Sequence, residues 1–261
     1  MSNHTSQPEL VKASRTKPKQ LALNFKLDDL YTFATFVTQA NPVLVNSLQH
    51  AFQHPPEPWL LWQPFDEGKT HLLQALVQWG LQQQKRCLYL PLKEVLTYGP
   101  AVLEGLEQFD LIALDDVHLL AAHEVVNQQH YLVDYLQEWE EALFYCINRL
   151  RQAGTILVTS LQQPPAKTAF ALADLQSRLS ASAVFQLQAL DDQAKKVMLA
   201  QRAQAYGLTL DQDCGLYLLT HYPRSNYKLC RALDRLNTRS LETKRRITIP
   251  FIRETLAVEK G

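Results

Sequence analysis

The sequence predicts an α/β protein, with a P-loop-type parallel sheet covered by helices on both faces, followed by a small all-α lid domain. Three observations point there. Short apolar runs bounded by turn residues alternate with stretches of helical periodicity up to about residue 190. A Gly-Lys-Thr triplet follows the first apolar run, and a pair of aspartates closes the third. From Asp191 onward the apolar residues recur only at helical spacing. The boundary near residue 190 therefore separates an α/β domain, 26–190, from a helical domain, 191–261.

Residues 1–19 are polar and carry Lys12, Arg15, Lys17 and Lys19 against the single acid Glu9, the composition of a disordered basic tail. In the next segment, Gln20-Leu21-Ala22-Leu23-Asn24-Phe25, an extended backbone projects Leu21, Leu23 and Phe25 to one side. The Gln20 amide both donates and accepts at one end, so the segment reads as a docking peptide. A first strand or a cap on the domain is the alternative. Asn41-Pro42 supplies an N-cap and a first-turn proline to a helix carried by Val43, Leu44, Leu48 and Phe52.

Trp59 to Trp62 is the first buried strand, and Gly68-Lys69-Thr70 opens a helix carried by Leu72, Leu73, Leu76 and Trp79. Cys87 to Leu90, Leu111 to Leu114, Thr155 to Thr159 and Val184 to Leu187 complete the strand set. Helices are expected from Asp191 to a stop at Gly207, over Gln212 to His221, from Ser225, and from Pro250.

Composition excludes several classes. Twenty-six basic and 26 acidic side chains cancel, so no overall field steers the chain to nucleic acid or membrane. Cys87, Cys146, Cys214 and Cys230 are far apart, without the paired spacing of a zinc site or a disulfide framework. No signal-like start and no apolar span are visible, so a cytoplasmic protein in a reducing compartment is expected.

The segment Gln63 to Thr70 lies between a strand and a helix, where a phosphate loop belongs. Such a loop wraps phosphates in backbone amides, its lysine neutralises the outer phosphates, and its hydroxyl ligates magnesium. Gly68, Lys69 and Thr70 fit this pattern, but Gln63 stands where the first glycine belongs, and Asp66 and Glu67 put carboxylates where polyphosphate lies. Both departures weaken nucleotide binding, and ADP, with or without magnesium, suffers less repulsion than ATP. Asp115 and Asp116 end an apolar strand, as the pair that orients hydrated magnesium and polarises water would; aspartates that merely close a strand are the alternative. Thr70 and Asp115 are the candidate magnesium ligands if nucleotide binds.

Taken in order, these motifs resemble the DnaA-type AAA+ family and, more narrowly, the Hda family of DnaA-related regulators of bacterial replication initiation. The resemblance spans residues 20–257. It is carried by Gln20 to Phe25, which is similar to sliding-clamp-binding peptides, by Thr32-Phe33 with Phe36, Gly68 to Leu73, and Leu114 to Ala121. It continues through Ile156 to Ser160 with Pro164-Pro165, Asp174 to Leu179, and Ile247 to Phe251. It implies that Gln20, Leu21, Leu23 and Phe25 bind the DNA polymerase III sliding clamp. It also implies that Gly68, Lys69, Thr70, Asp115, Asp116 and Ser160 face nucleotide, and that Arg178 is an arginine finger acting in trans on ATP held by DnaA. A planar, permanent cation suits that role. The expected function is negative regulation of initiation by converting DnaA to its ADP form, with weak or absent ATPase activity of its own.

The chain departs from the family in places. Leu161-Gln162-Gln163 replaces the Asp-Arg continuation after Ser160, and Tyr227, with Lys228 beside it, stands where the lid arginine that senses the outer phosphate belongs. The segment from Glu124 to Gln152 exceeds the family's need, which implies an extended or additional helix containing Tyr131, Leu132, Tyr135, Leu136 and Trp139. These residues form either a partner surface or core. No DNA-binding module follows residue 258, so sequence-specific DNA recognition is not expected. Lys228, Arg231, Arg235 and Arg239 share a helical face, as a phosphate stripe or a solvated one. A helicase-loading or DNA-remodelling ATPase, and a nonenzymatic clamp-bound module, are the competing functions, and homo-oligomers remain open.

Overall fold

The computed structural model describes residues 25–53, 57–64, 68–124 and 130–257. Gln20, Leu21, Leu23, Asp66 and Glu67, with the basic tail, lie outside the described residues.

A short helix, α1 (Pro42–Gln49), precedes β1 (Trp59–Trp62), and α2 (Lys69–Gln82) follows it. Then come β2 (Cys87–Pro91), α3 (Leu92–Val95), β3 (Leu111–Asp115), α4 (His130–Ala153), β4 (Ile156–Leu161), α5 (Ala173–Ser180) and β5 (Ala183–Gln186). The strands form a 5-stranded parallel sheet in the order β2-β3-β4-β1-β5. Every residue of β3 and β4 is buried, as central strands covered on both faces must be.

Alternation along each strand divides the core. Leu60, Ile112, Leu114 and Leu157 join one cluster with Trp139, Leu143 and Ile147 of α4 and Leu175 and Leu179 of α5. Leu61, Leu111, Ala113, Ile156 and Val158 join the other with Leu44 and Leu48 of α1 and Leu72, Leu73 and Leu76 of α2. Helix α4 is a single helix of 24 residues. Its Leu136 and Trp139 are core, its Tyr135 packs half-buried beside them, and the side chains of Tyr131 and Leu132 lie outside the described residues. Described apolar residues of this segment therefore close the sheet's face.

The expected strands all appear, with small shifts. β4 begins at Ile156 because the Thr155 hydroxyl donates to the Phe109 carbonyl and its N–H to that of Leu150, so it closes a turn. In α1, Leu44 and Val45 face inward while Val43 is 72% exposed. Asn41 precedes α1, yet its side chain makes no cap. Its amide donates to the Gln188 carbonyl at 3.1 Å and accepts from the Gln188 N–H at 2.8 Å, tying the first helix to the segment after β5.

The lid comprises α6 (Asp192–Ala205), α7 (Gln212–His221), α8 (Asn226–Thr243) and α9 (Ile249–Leu256), packed on Leu199, Leu218, Leu229, Leu233 and Phe251. Asp191, Ser225 and Thr248 cap α6, α8 and α9 by accepting from backbone N–H groups three residues on. Gly207, at φ +73, ends the first of these runs in a left-handed conformation that other residues resist. Among the described residues no helix is long and apolar enough to cross a membrane.

Candidate nucleotide site

The parallel register brings three strand ends together. Pro91 lies opposite Asp115, Leu114 opposite Thr159, and Leu61 opposite Ser160, so Tyr89, Asp115, Ser160 and the loop after β1 meet at the C-terminal edge of the sheet. Asp115, 1% exposed, is the hub. Its Oδ2 accepts from the Thr70 hydroxyl at 2.7 Å and the Tyr89 hydroxyl at 2.8 Å, and its Oδ1 accepts from the Ser160 hydroxyl. The Asp116 N–H donates to Ser160 Oγ at 2.9 Å and to Asp115 Oδ1 at 3.1 Å. Asp116 adopts φ +61, a conformation that aspartate tolerates better than most residues. Burial and the Asp115 carboxylate push the Tyr89 phenol far above its ordinary range, so it remains a donor.

Gly68 lies at φ +116, and a Cβ there would stand 3.0 Å from the Phe36 ring, so this position needs glycine twice over. Lys69 is only 5% exposed and its ammonium donates to the Gln63 carbonyl at 2.9 Å. A buried ammonium requires such an acceptor, and here the start of its own loop provides one.

Lys69 and Thr70 open onto a cavity of about 320 Å³ between the sheet edge, the segment from Leu30 to Val37, and the lid. One wall is aromatic. Tyr31 stacks on His71 with centroids 4.7 Å apart, and Phe36 meets His71 edge-on at 5.2 Å. Burial, aided by nearby Arg202, lowers the His71 pKa to about 4, so the ring is neutral at pH 7 and bonds the Thr32 carbonyl through Nε2 at 2.9 Å. The lid contributes Met198, Arg202, Asn226, Tyr227 and Cys230. Arg202 is held by both Asp234 oxygens, at 2.7 and 3.0 Å, while its guanidinium lies 5.7 Å from the Tyr31 ring centre and 3.7 Å from Asp28.

These residues fit a nucleotide. A glycine turn opens a helix, Lys69, Lys93 and Arg202 line the cavity, and Thr70 keeps lone pairs for a magnesium ion while donating to Asp115. Among the described residues no group of three or more His, Cys, Asp or Glu could hold a metal ion.

The structure thus brings Gly68, Lys69, Thr70, Asp115, Asp116 and Ser160 to one place, with Tyr227 across the cavity. Sequence reasoning missed Tyr31, His71, Lys93 and Arg202. His71 directly follows the Gly-Lys-Thr triplet, a usable signal, whereas nothing in the sequence pairs Arg202 with residue 31. Arg178 sits elsewhere, in the last turn of α5, with its guanidinium 6.0 Å from the Phe144 ring centre and its Nε buried without a hydrogen-bond partner. Phe25 packs half-buried against both sheet clusters. On α8, Arg231, Arg235 and Arg239 line a groove with Asp234, Glu242 and Glu254, and Arg239 pairs with Glu242 at 3.3 Å, so the stripe is a mixed-charge face.

Comparison with known proteins agrees with this architecture. Residues 27–186 match the family described as bacterial DnaA ATPase domain, and residues 192–256 match the family described as Hda, lid domain. A Haemophilus influenzae protein without an assigned function is 33% identical over 240 residues, covering 91% of this chain and 98% of its own. Domain III of the Thermotoga maritima replication initiation protein DnaA superposes with a TM-score of 0.71 at 20% identity, over 90% of this chain and 98% of that one. AMPPCP-bound DnaA from Aquifex aeolicus does so at 0.64 and 19% identity, over 83% of this chain and 68% of that one. The chain belongs to the DnaA-related AAA+ proteins that carry an Hda lid.

Proposed function

We propose that this member of a replication-initiation family is a negative regulator that docks on the DNA polymerase III sliding clamp and presents Arg178 to ATP bound by DnaA. Working in the cytoplasm, it supplies the cation that stabilises charge on the γ-phosphoryl oxygens while water attacks and the bond to ADP breaks. The observation that carries this reading is the placement of Arg178. It stands away from the chain's own Lys69 cavity, on a short helix whose last turn is propped on Phe144 with Nε unpaired. Replacing Arg178 by alanine should lower stimulation of DnaA ATP hydrolysis on clamp-loaded DNA by roughly a thousandfold while leaving clamp binding and folding intact. Lysine should restore little, because it lacks the planar fork. Normal stimulation by R178A would remove the chemical step from this reading.

Clamp docking rests on Gln20, Leu21, Leu23 and Phe25. Phe25 also packs on the domain, so its ring must leave both sheet clusters if it is to enter a pocket on the clamp. Alanine at Gln20, Leu23 and Phe25 together should weaken clamp binding by about 2 kcal/mol or more. Undiminished affinity would sink the docking step.

The chain's own site takes nucleotide, with ADP favoured over ATP and magnesium held through Thr70 and Asp115, but it turns over slowly. A second reading, a helicase-loading or remodelling ATPase, is favoured by the complete Thr70–Asp115–Ser160 network. Tyr227 at the lid wall opposes it, since a phenol brings no charge to an outer phosphate. Rapid ATP hydrolysis by the isolated chain would install the second reading instead. DnaA is the proposed partner in either assembly, and no sequence-specific DNA site is proposed.

A further inference from the structure

The cations lining the cavity are not equivalent. Arg202 is neutralised by Asp234, with Asp28 nearby, and its position serves the aromatic wall. Lys69 is held by the Gln63 carbonyl. His71 is neutral at pH 7, since burial lowers its pKa to about 4. Lys93 is different: it is exposed, lines the same cavity, and has no hydrogen-bond or ion-pair partner among the described residues.

Its place follows from the sheet. β2 ends at Pro91, which pairs with Asp115, and Lys93 follows two residues later on α3. Lys93 thus lines the same cavity as Lys69, Thr70 and Asp116 of the α/β domain and Asn226 and Tyr227 of the lid. A nucleotide seated on Lys69 and Thr70 would place its outer phosphates beside these two groups, within the cavity that Lys93 lines. The lid wall carries Tyr227, whose phenol brings no charge to a phosphate, and an Arg202 already neutralised by Asp234.

We propose that Lys93 is the second phosphate-binding cation of this site, contacting the outermost phosphate of a nucleoside di- or triphosphate from the sheet side and taking over the task that the lid does not perform. The proposal rests on the reading that this cavity takes nucleotide. One consequence is mechanical. A cation on α3 moves with the sheet, so engaging the outer phosphate does not require the lid to close.

The test is calorimetric titration of the full chain with ADP and with ATP, for the native sequence, Lys93→Ala and Lys93→Arg. A charge-assisted contact to phosphate lost on truncation should weaken binding by about tenfold or more. Arginine should bind within about threefold of the native chain, because it keeps charge and reach. The thermal midpoint should not move, since Lys93 is exposed and unpartnered. If the native chain binds nucleotide and K93A binds it equally well, the Lys93 assignment fails alone. Equal losses in K93A and K93R mean that the side chain acts through shape rather than charge, which also overturns it. If the native chain binds neither ADP nor ATP, the nucleotide reading itself fails and takes this inference with it.

Discussion

The cavity edge and the α5 edge of the same sheet handle charge in opposite ways. At the cavity, Asp115 accepts three side-chain hydroxyls and Lys69 is held on its own loop, so the polar groups satisfy one another inside the fold. At α5, a buried carboxylate instead anchors the start of the helix that carries Arg178. Glu140, 0% exposed, accepts the Ala171 and Leu172 N–H groups at 3.1 and 2.6 Å, just where α5 begins without a side-chain cap of its own. One turn further along α4, Phe144 supports the Arg178 guanidinium. A P-loop whose inner network is complete can therefore serve as structure, while the side chain proposed to do chemistry sits on a helix held at both ends.

This contrast can be broken at several points. The largest stability effect is expected at the hub. Asp115→Ala leaves the Thr70, Tyr89 and Ser160 hydroxyls without their acceptor and should cost on the order of 4 kcal/mol in a urea unfolding series. A cost below about 1 kcal/mol would show that these bonds form only around a ligand.

Next comes pH. The His71 pKa of about 4 lies below the ordinary value of 6.5, so the unfolded chain takes up the proton first. Stability from this group is complete above pH 6.5 and falls as the pH drops toward 4, by about 3 kcal/mol in all. His71→Gln should flatten the stability profile across that window. An unchanged slope would mean that His71 is hydrated rather than sealed in the wall.

Glu140→Gln should lower stability by about 2 kcal/mol, because a carboxamide loses the charge assistance and sets an N–H donor against one of the two backbone donors. Stimulation of DnaA should fall with it while clamp affinity stays unchanged. If stability falls and stimulation does not, α5 does not need its anchored start to present Arg178. The smallest effect is expected for Phe144→Leu, which keeps apolar bulk but removes the ring face under Arg178, a contact of about 0.5–1 kcal/mol, or a few-fold in stimulation.

What could be read beforehand, and what could not, divides along sequence distance. Each of the five strands was legible because a buried parallel strand is a short apolar run, and each lid helix because its cap, period and stop lie within a few residues of one another. Asp191, Ser225, Thr248 and Gly207 do locally what such residues do. Lys69, Thr70, Asp115 and Ser160 were legible for a related reason, since each stands at a strand end or helix start that the pattern marks. Local reasoning misjudged Val43, which the period groups with Leu44 but α1 turns to solvent, and Asn41, whose amide prefers the Gln188 backbone to a cap.

The amino-acid sequence alone determined the strands, the lid helices and the chemistry stationed at their ends, because propensity, turn preference and hydrophobic period act over a handful of neighbouring residues. Only the tertiary structure decided the strand order β2-β3-β4-β1-β5, and with it which ends became neighbours. It set Lys93 in the wall of the cavity that Lys69 and Thr70 open onto, Arg202 of the lid against Tyr31 of the first segment, and Glu140 under the start of α5. Those contacts join residues far apart in the chain, and no local preference encodes them. They arise when burying apolar faces forces the accompanying polar groups to find partners wherever the packed fold provides them.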